Sequence, residues 1–263
     1  MEEDGGDRLR QIHDELSANP EQHPKSSSWL PLESNPEMFT SFARRIGNLP
    51  PEWSFIDVIG FDNEALQYTP RPVAAVILLF PCTDAIYAAR AEQKKMLAQE
   101  LASGNLTPAA KSVLHVEQVA SFGNACGSIA CVHALSNVDL SITGPLAQFK
   151  ETTARLSTAR ERGNILVASD IQGLSDMSAS DSVAQTECPD TGDTYLGHHY
   201  CAFVSVNGHI VELDGTKVAP VDHGPMSSDS DLLQEAARVI KNGWMQVEPD
   251  RIDFSMVALA KTR

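Results

Sequence analysis

Val73-Ala74-Ala75-Val76-Ile77-Leu78-Leu79-Phe80 is the longest apolar run in this chain, with no polar position in eight residues. Successive side chains of a strand point to opposite faces, so a strand of this composition is covered on both. The run is too short for the ~20 residues that cross a bilayer. It therefore predicts a central strand with packed layers above and below.

The flanking segments follow the same logic. Ser34 or Asn35 before Pro36-Glu37 marks a helix start that runs to about Ile46, ahead of Gly47. Phe55–Ile59 reads as a strand, 63–68 as a short helix, and 84–102 as a charged helix on the surface. Leu106 to Lys111 reads as a Pro-containing loop, and 128–135 as a buried helix. Helices are expected over 146–156 and 158–168. The Ser-, Asp-, Thr- and Gly-rich stretch from Ile171 to Thr194 reads as one long loop. His199–Val206 and His209–Leu213 flank Asn207-Gly208, a strong hairpin signal. Ser230 or Asp231 caps a helix reaching about Trp244, and 254–259 supplies a closing strand. The expected fold is α+β (α/β-like), a central, mostly antiparallel sheet flanked by helices in one domain spanning 29–263. Residues 1–28, polar and ending in Pro24-Lys25-Ser26-Ser27-Ser28, are expected to be a flexible extension with little apolar surface to hold them.

With 20 basic and 35 acidic side chains the formal charge is 20 − 35 = −15. Such a chain repels nucleic acid and anionic lipid, and its acidity either steers it towards basic partners or serves only to keep it soluble. Five cysteines, at 82, 126, 131, 188 and 201, form no short-spaced framework and no zinc-ligand cluster. Reduced thiols, a cytoplasmic location, a monomer and no metal are the expectations. The acidic N-terminus lacks the core of a signal peptide.

Gly123-Asn124-Ala125-Cys126-Gly127 places a thiol where a turn hands over to the buried helix. A cysteine in a helix's first turn faces unpaired backbone N–H groups and the positive dipole end, which favours thiolate. His199 and Asp214 follow downstream, and a thiol, an imidazole and a carboxylate are the parts of a cysteine hydrolase. With the hairpin turn centred between 207 and 208, His199 lies opposite residue 216, two past Asp214. Each residue also has a plainer reading. Cys82, Cys131 and Cys201 sit in apolar runs as structural thiols. His198 should face the other side of the sheet, while His133 and His209 are structural or surface residues.

The chain resembles the ubiquitin C-terminal hydrolases, papain-like cysteine peptidases, from Trp29 to Ala260. The resemblance is carried by Trp29-Leu30-Pro31-Leu32-Glu33-Ser34-Asn35-Pro36-Glu37, Pro70-Arg71-Pro72-Val73, Leu78-Leu79-Phe80-Pro81, Asn124-Ala125-Cys126-Gly127, His199, Val211-Glu212-Leu213-Asp214-Gly215 and Asp222-His223-Gly224. It is nearest to the short, single-domain members. It implies Cys126 as nucleophile, His199 as general base and Asp214 as the group that orients the imidazole. The family's oxyanion-hole Gln stands six positions before the Cys. That position here is Ala120, and Gln118 stands eight before, so two extra residues in the connection would leave the role to Gln118. Pro31, Leu32 and Glu33 match the segment that contacts ubiquitin, and Ile171–Thr194 the loop that arches over the site and admits only small or unstructured leaving groups.

The implied activity is thiol-dependent hydrolysis at ubiquitin's C-terminal glycine, without a cofactor, with ubiquitin as partner and no nucleic acid or membrane. Acidity would then complement ubiquitin's basic face and tail. Two alternatives stay open: a catalytically weak protein that binds and sequesters ubiquitin, and a hydrolase of a ubiquitin-like modifier.

Overall fold

The computed structural model describes residues 9–12, 14, 29, 32, 34–119, 122–123, 125–183, 197–228 and 230–262. Six strands, β1 (Trp53–Val58), β2 (Val73–Pro81), β3 (His198–Val206), β4 (His209–Leu213), β5 (Val221–Pro225) and β6 (Ser255–Lys261), form one sheet. Their spatial order is β1-β6-β2-β3-β4-β5 and every neighbouring pair is antiparallel. The last strand in sequence thus lies inside the sheet, between β1 and β2.

The central-strand expectation for 73–80 holds, and the two faces of β2 belong to two cores. Ala75 and Ile77, with Tyr200, Ala202 and Val204 of β3, face one core; Val76, Leu78 and Phe80, with Cys201 and Phe203, face the other. The first core is filled by α1 (Pro36–Gly47), α5 (Cys126–Ser136) and α6 (Gly144–Thr153), through residues such as Phe39, Phe42, Ile129 and Leu146. The second is filled by α3 (Asp84–Ala102), α9 (Leu232–Ile240) and the π-turn Lys241–Met245, through Ile86, Leu233, Ala236 and Trp244. The short helices α2 (Asn63–Leu66) and α4 (Pro108–Ser112) lie in connections, and α7 (Ala159–Val167) and α8 (Ile171–Val183) follow α6.

Four differences from the sequence reading have physical causes. Ile171–Val183 is a helix rather than a loop. Its buried positions are small hydroxyls and single apolar groups: Ser175 bonds Ser128 at 2.6 Å and Ser178 donates to the Leu174 carbonyl at 2.9 Å, so close packing replaces an apolar stripe. The remainder of the expected loop, 184–194, lies outside the described residues. Pro108, read as part of a loop, instead opens α4 at the position where its missing N–H costs nothing, behind a Thr107 cap. Val221–Pro225, to which no element was assigned, is the edge strand β5, its residues half polar because one edge and part of a face meet water. Finally, Leu9 and Ile12 are buried, and Arg10 pairs with Asp84 and lies over the Tyr87 ring. Residues at this point of the N-terminal extension therefore do find apolar surface, against the expectation that little was available.

Candidate active site

Cys126 is the first residue of α5, and the preceding Ala125 has no side-chain oxygen with which to cap the helix. The N–H groups of the first turn are therefore left for whatever negative charge forms at Cys126. The rest of the helix is buried from Gly127 to Ser136, while Cys126 keeps partial access to solvent. Gly127 is where the chain before α1 presses on this turn: a Cβ there would lie 3.2 Å from the Leu32 Cβ. Leu32 is buried against this turn. Pro31 and Glu33 lie outside the described residues.

The hairpin supplies the other two groups. β3 and β4 pair from Val206↔His209 to Ala202↔Leu213, a register that continued outward sets His199 opposite residue 216. Phe80 of β2 pairs with His199 on the other side. Past Leu213 the chain leaves the ladder, and Asp214 reaches back: its Oδ1 accepts the His199 Nε2–H at 2.8 Å. His199 also hydrogen-bonds the Cys126 side chain, and with Nε2 committed to Asp214 the nitrogen facing sulfur is Nδ1. Burial disfavours a charged imidazole, yet the Asp214 carboxylate and the two hydrogen bonds outweigh it and push His199 up to about 9. Burial likewise opposes ionisation of Asp214, but the charges of His199 and Arg90 hold it well below the usual carboxylate range.

Sequence reasoning missed the groups that hold Asp214. Arg90 Nη1 donates to its Oδ2 at 2.7 Å and Nη2 to the Thr216 hydroxyl at 2.6 Å. Thr216 donates to Oδ1 through both its backbone N–H (2.8 Å) and its hydroxyl (2.7 Å). The ring N–H of His115 meets the Asp214 carbonyl at 2.9 Å, and burial keeps His115 neutral by lowering its pKa. One signal for Arg90 was present: it lies one helical turn after Ile86, on the stripe of α3 that also buries Tyr87 and Leu97. A charge on a buried stripe asks for a buried partner.

Gln118 is buried beside this loop. Its backbone N–H donates to the Gly215 carbonyl at 2.7 Å, and its Nε2 donates to the Gly123 carbonyl at 3.0 Å, on the turn that leads to Cys126. The amide therefore faces the Gln118-to-Cys126 connection, with its second N–H uncommitted to Gly123, while Oε1 has no partner. Gly215 permits the approach: a Cβ there would fall 3.1 Å from the Gln118 Cβ.

The plainer readings also find their places. Cys131 and Cys201 are buried thiols pushed upward by desolvation, and burial pushes Cys82 up to about 12. His133 is buried in α5, held by the Val116 N–H at 2.9 Å, and driven down to about 3 by burial. His198 turns from His199 towards Asp253, 2.9 Å away, and His209 bonds Asp222.

The sequence pattern described as "Ubiquitin carboxyl-terminal hydrolase, family 1" matches residues 29–245. The chain belongs to the ubiquitin carboxyl-terminal hydrolase family. It is 36% identical over 235 residues to a ubiquitin carboxyl-terminal hydrolase of Drosophila melanogaster, covering 88% of this chain and 97% of that one. It is 35% identical over 237 residues to the isozyme L1 of Rattus norvegicus, with the same two coverages. In fold it is similar to the catalytic domain of Trichinella spiralis UCH37 solved with ubiquitin vinyl methyl ester: TM-score 0.64, 22% identity, 89% of this chain and 95% of that one. This family member thus has the family's α+β architecture. Among its described residues no cluster of His, Cys, Asp and Glu is placed to hold a metal ion, and no helix is long and apolar enough to cross a membrane.

Proposed function

We infer that this chain is a deubiquitinating thiol hydrolase that uses Cys126, His199 and Asp214 to cut small or unstructured adducts from the C-terminal glycine of ubiquitin. The observation that carries the reading is the continuous chain of contacts from the Cys126 sulfur through the His199 ring to the Asp214 carboxylate. It begins at an uncapped helix N-terminus and ends in a carboxylate that is held ionised.

The Cys126 proton passes to Nδ1 of His199, which leaves the reactive thiolate opposite imidazolium. Cys126 Sγ attacks the glycine carbonyl carbon, and the oxygen takes the electron pair beside the Cys126 backbone N–H and the Gln118 amide. Collapse breaks the bond to the leaving group, which takes the Nδ1 proton of His199 and departs, leaving a thioester. Water then gives a proton to His199 and adds to the thioester carbon, and expulsion of thiolate frees the ubiquitin carboxylate. Asp214 stays ionised throughout and keeps the imidazole in the tautomer with Nε2 protonated. The cycle calls for no cofactor.

We read the segment Pro31, Leu32 and Glu33 as contacting ubiquitin, and the acidic surface as complementing ubiquitin's basic tail. A monomeric enzyme in the reducing cytoplasm fits the four described cysteines, which are all free thiols. Turnover of ubiquitin bearing a fluorogenic C-terminal amide, lost in Cys126→Ala, is the expected result. Tight binding with no turnover by the unmodified chain would favour the sequestering alternative, and a higher kcat/KM for a ubiquitin-like modifier would move the substrate.

A further inference from the structure

Asp214 sits between two cations, and only one of them can change its charge during a reaction. His199 occupies Oδ1 and Arg90, reaching over from the second turn of α3, occupies Oδ2. Arg90 and Asp214 are both buried, and the guanidinium lies over Phe80, 5.7 Å from its centroid. The Phe80 ring in turn stands edge-on to His199 at 5.5 Å. Arg90, Phe80, His199 and Asp214 thus form one packed unit that Thr216 closes by bonding both Arg90 and Asp214.

We propose that Arg90 is a positioning residue of the hydrolytic cycle. It fixes Asp214 by the oxygen His199 does not use, and it neutralises that carboxylate during the steps in which His199 carries no extra proton. This rests on the assignment of Cys126, His199 and Asp214 above. When Sγ attacks, the charges form two balanced pairs, thiolate with imidazolium and carboxylate with guanidinium. Once the leaving group has taken the His199 proton, the sulfur is a thioester and the imidazole is neutral. Asp214 would then be an uncompensated buried anion but for Arg90. The neighbouring cation, Lys217, is engaged by Glu212 and Gln93.

The consequence falls on His199. The groups that act on His199 are Cys126 from α5 and Asp214 beyond β4; those that act on Asp214 in turn are Arg90 from α3 and Lys217, with neutral His115 at its carbonyl and Cys82 beyond β2. Of these, Arg90 alone shares the Asp214 carboxylate with His199 as a permanent cation. Without it Asp214 would pull harder on the imidazole proton. His199 would then donate poorly to the leaving group and release poorly the proton it takes from water.

The test is the pH profile of kcat and KM for ubiquitin with a fluorogenic C-terminal amide, in the full-length chain and its R90Q and R90K variants. R90Q should lower kcat by about 10²-fold, the lower end of what general acid–base catalysis contributes, with KM little changed. Its basic limb should move up by roughly one pH unit or more, the shift that loss of one neighbouring charge produces. R90K keeps the charge with a single donor group, and should return the limb to its original position with part of kcat recovered. A basic limb that stays put in R90Q overturns the proposal, as does a limb displaced equally in R90K. If R90Q does not fold, R90M removes the charge in its place, and a basic limb that stays put in it overturns the proposal. Undiminished turnover in Cys126→Ala is a separate outcome that would remove the underlying triad instead.

Discussion

At the scale of single residues, His199 and Asp214 titrate away from their ordinary values in opposite directions. His199, raised to about 9, stays protonated well past neutrality, so the alkaline fall of kcat/KM should come as pH rises through about 9. The same shift links to stability. A raised imidazole stabilises the fold fully below its ordinary value near 6.5, and loses that contribution as pH climbs through about 9. Asp214, depressed, contributes above the ordinary carboxylate range and loses its contribution as pH falls through its lowered value. Thermal midpoints measured across pH should therefore decline at both ends, and His199→Gln should flatten the alkaline decline. Gln118 is the donor aimed at the connection to Cys126, and Gln118→Ala should cost about 10²–10³ in kcat with KM little changed, as loss of an oxyanion donor does elsewhere. A kcat within a few-fold of the parent would return the oxyanion to backbone groups alone.

At the scale of elements, the site depends on how tightly its loops are clamped. Gly163 of α7 lies against the segment that leads to Gln118: a Cβ there would sit 2.3 Å from the Glu117 carbonyl oxygen, and backbone cannot yield as a side-chain tip would. Glu117 N–H already donates to the Ala159 carbonyl at 3.0 Å, fixing the two together. Gly163→Ala should destabilise by about 1–3 kcal/mol, as overpacking does. It should lower kcat as well, since displacing Glu117 displaces Gln118; a midpoint and a kcat both unchanged would show the clamp to be dispensable. Elements with strong periodicity or punctuation were legible in the sequence. Asn207-Gly208 set the hairpin register, and with it the approach of His199 to Asp214, correctly to the residue. The apolar run at 73–80 announced the central strand. What was not legible was whatever depends on distant partners. Ser175 and Ser178 look like loop residues until Ser128 and a backbone carbonyl satisfy them. Arg90 looks like one more charge on a surface helix until Asp214 comes to meet it. Val221–Pro225 becomes a strand only by pairing with β4.

At the scale of the whole molecule, the two cores hold β2 and β3 rigid between helical layers, and the site is assembled where those strands end. Phe80 is next to last in β2 and His199 is the second residue of β3, so both belong to the ladder while Asp214 and Cys126 approach from its border. The formal charge of −15 adds a long-range field to this rigid frame. Complementary charge acts mainly on encounter, and the Debye length shortens from about 30 Å at 0.01 M to about 8 Å at 0.15 M salt. The association rate with ubiquitin should fall over that range while dissociation changes little; a rate indifferent to salt would remove steering from the account. The central claim is that one sulfur, Cys126, acts on the C-terminus of ubiquitin, and covalent trapping tests it most directly. Full-length chain is incubated with ubiquitin carrying a C-terminal vinyl methyl ester, weighed intact and mapped by peptide mass. The expected result is a single added ubiquitin, attached at Cys126 and absent in Cys126→Ala. Attachment at Cys82, Cys131, Cys188 or Cys201, or no attachment to the folded chain, would contradict it.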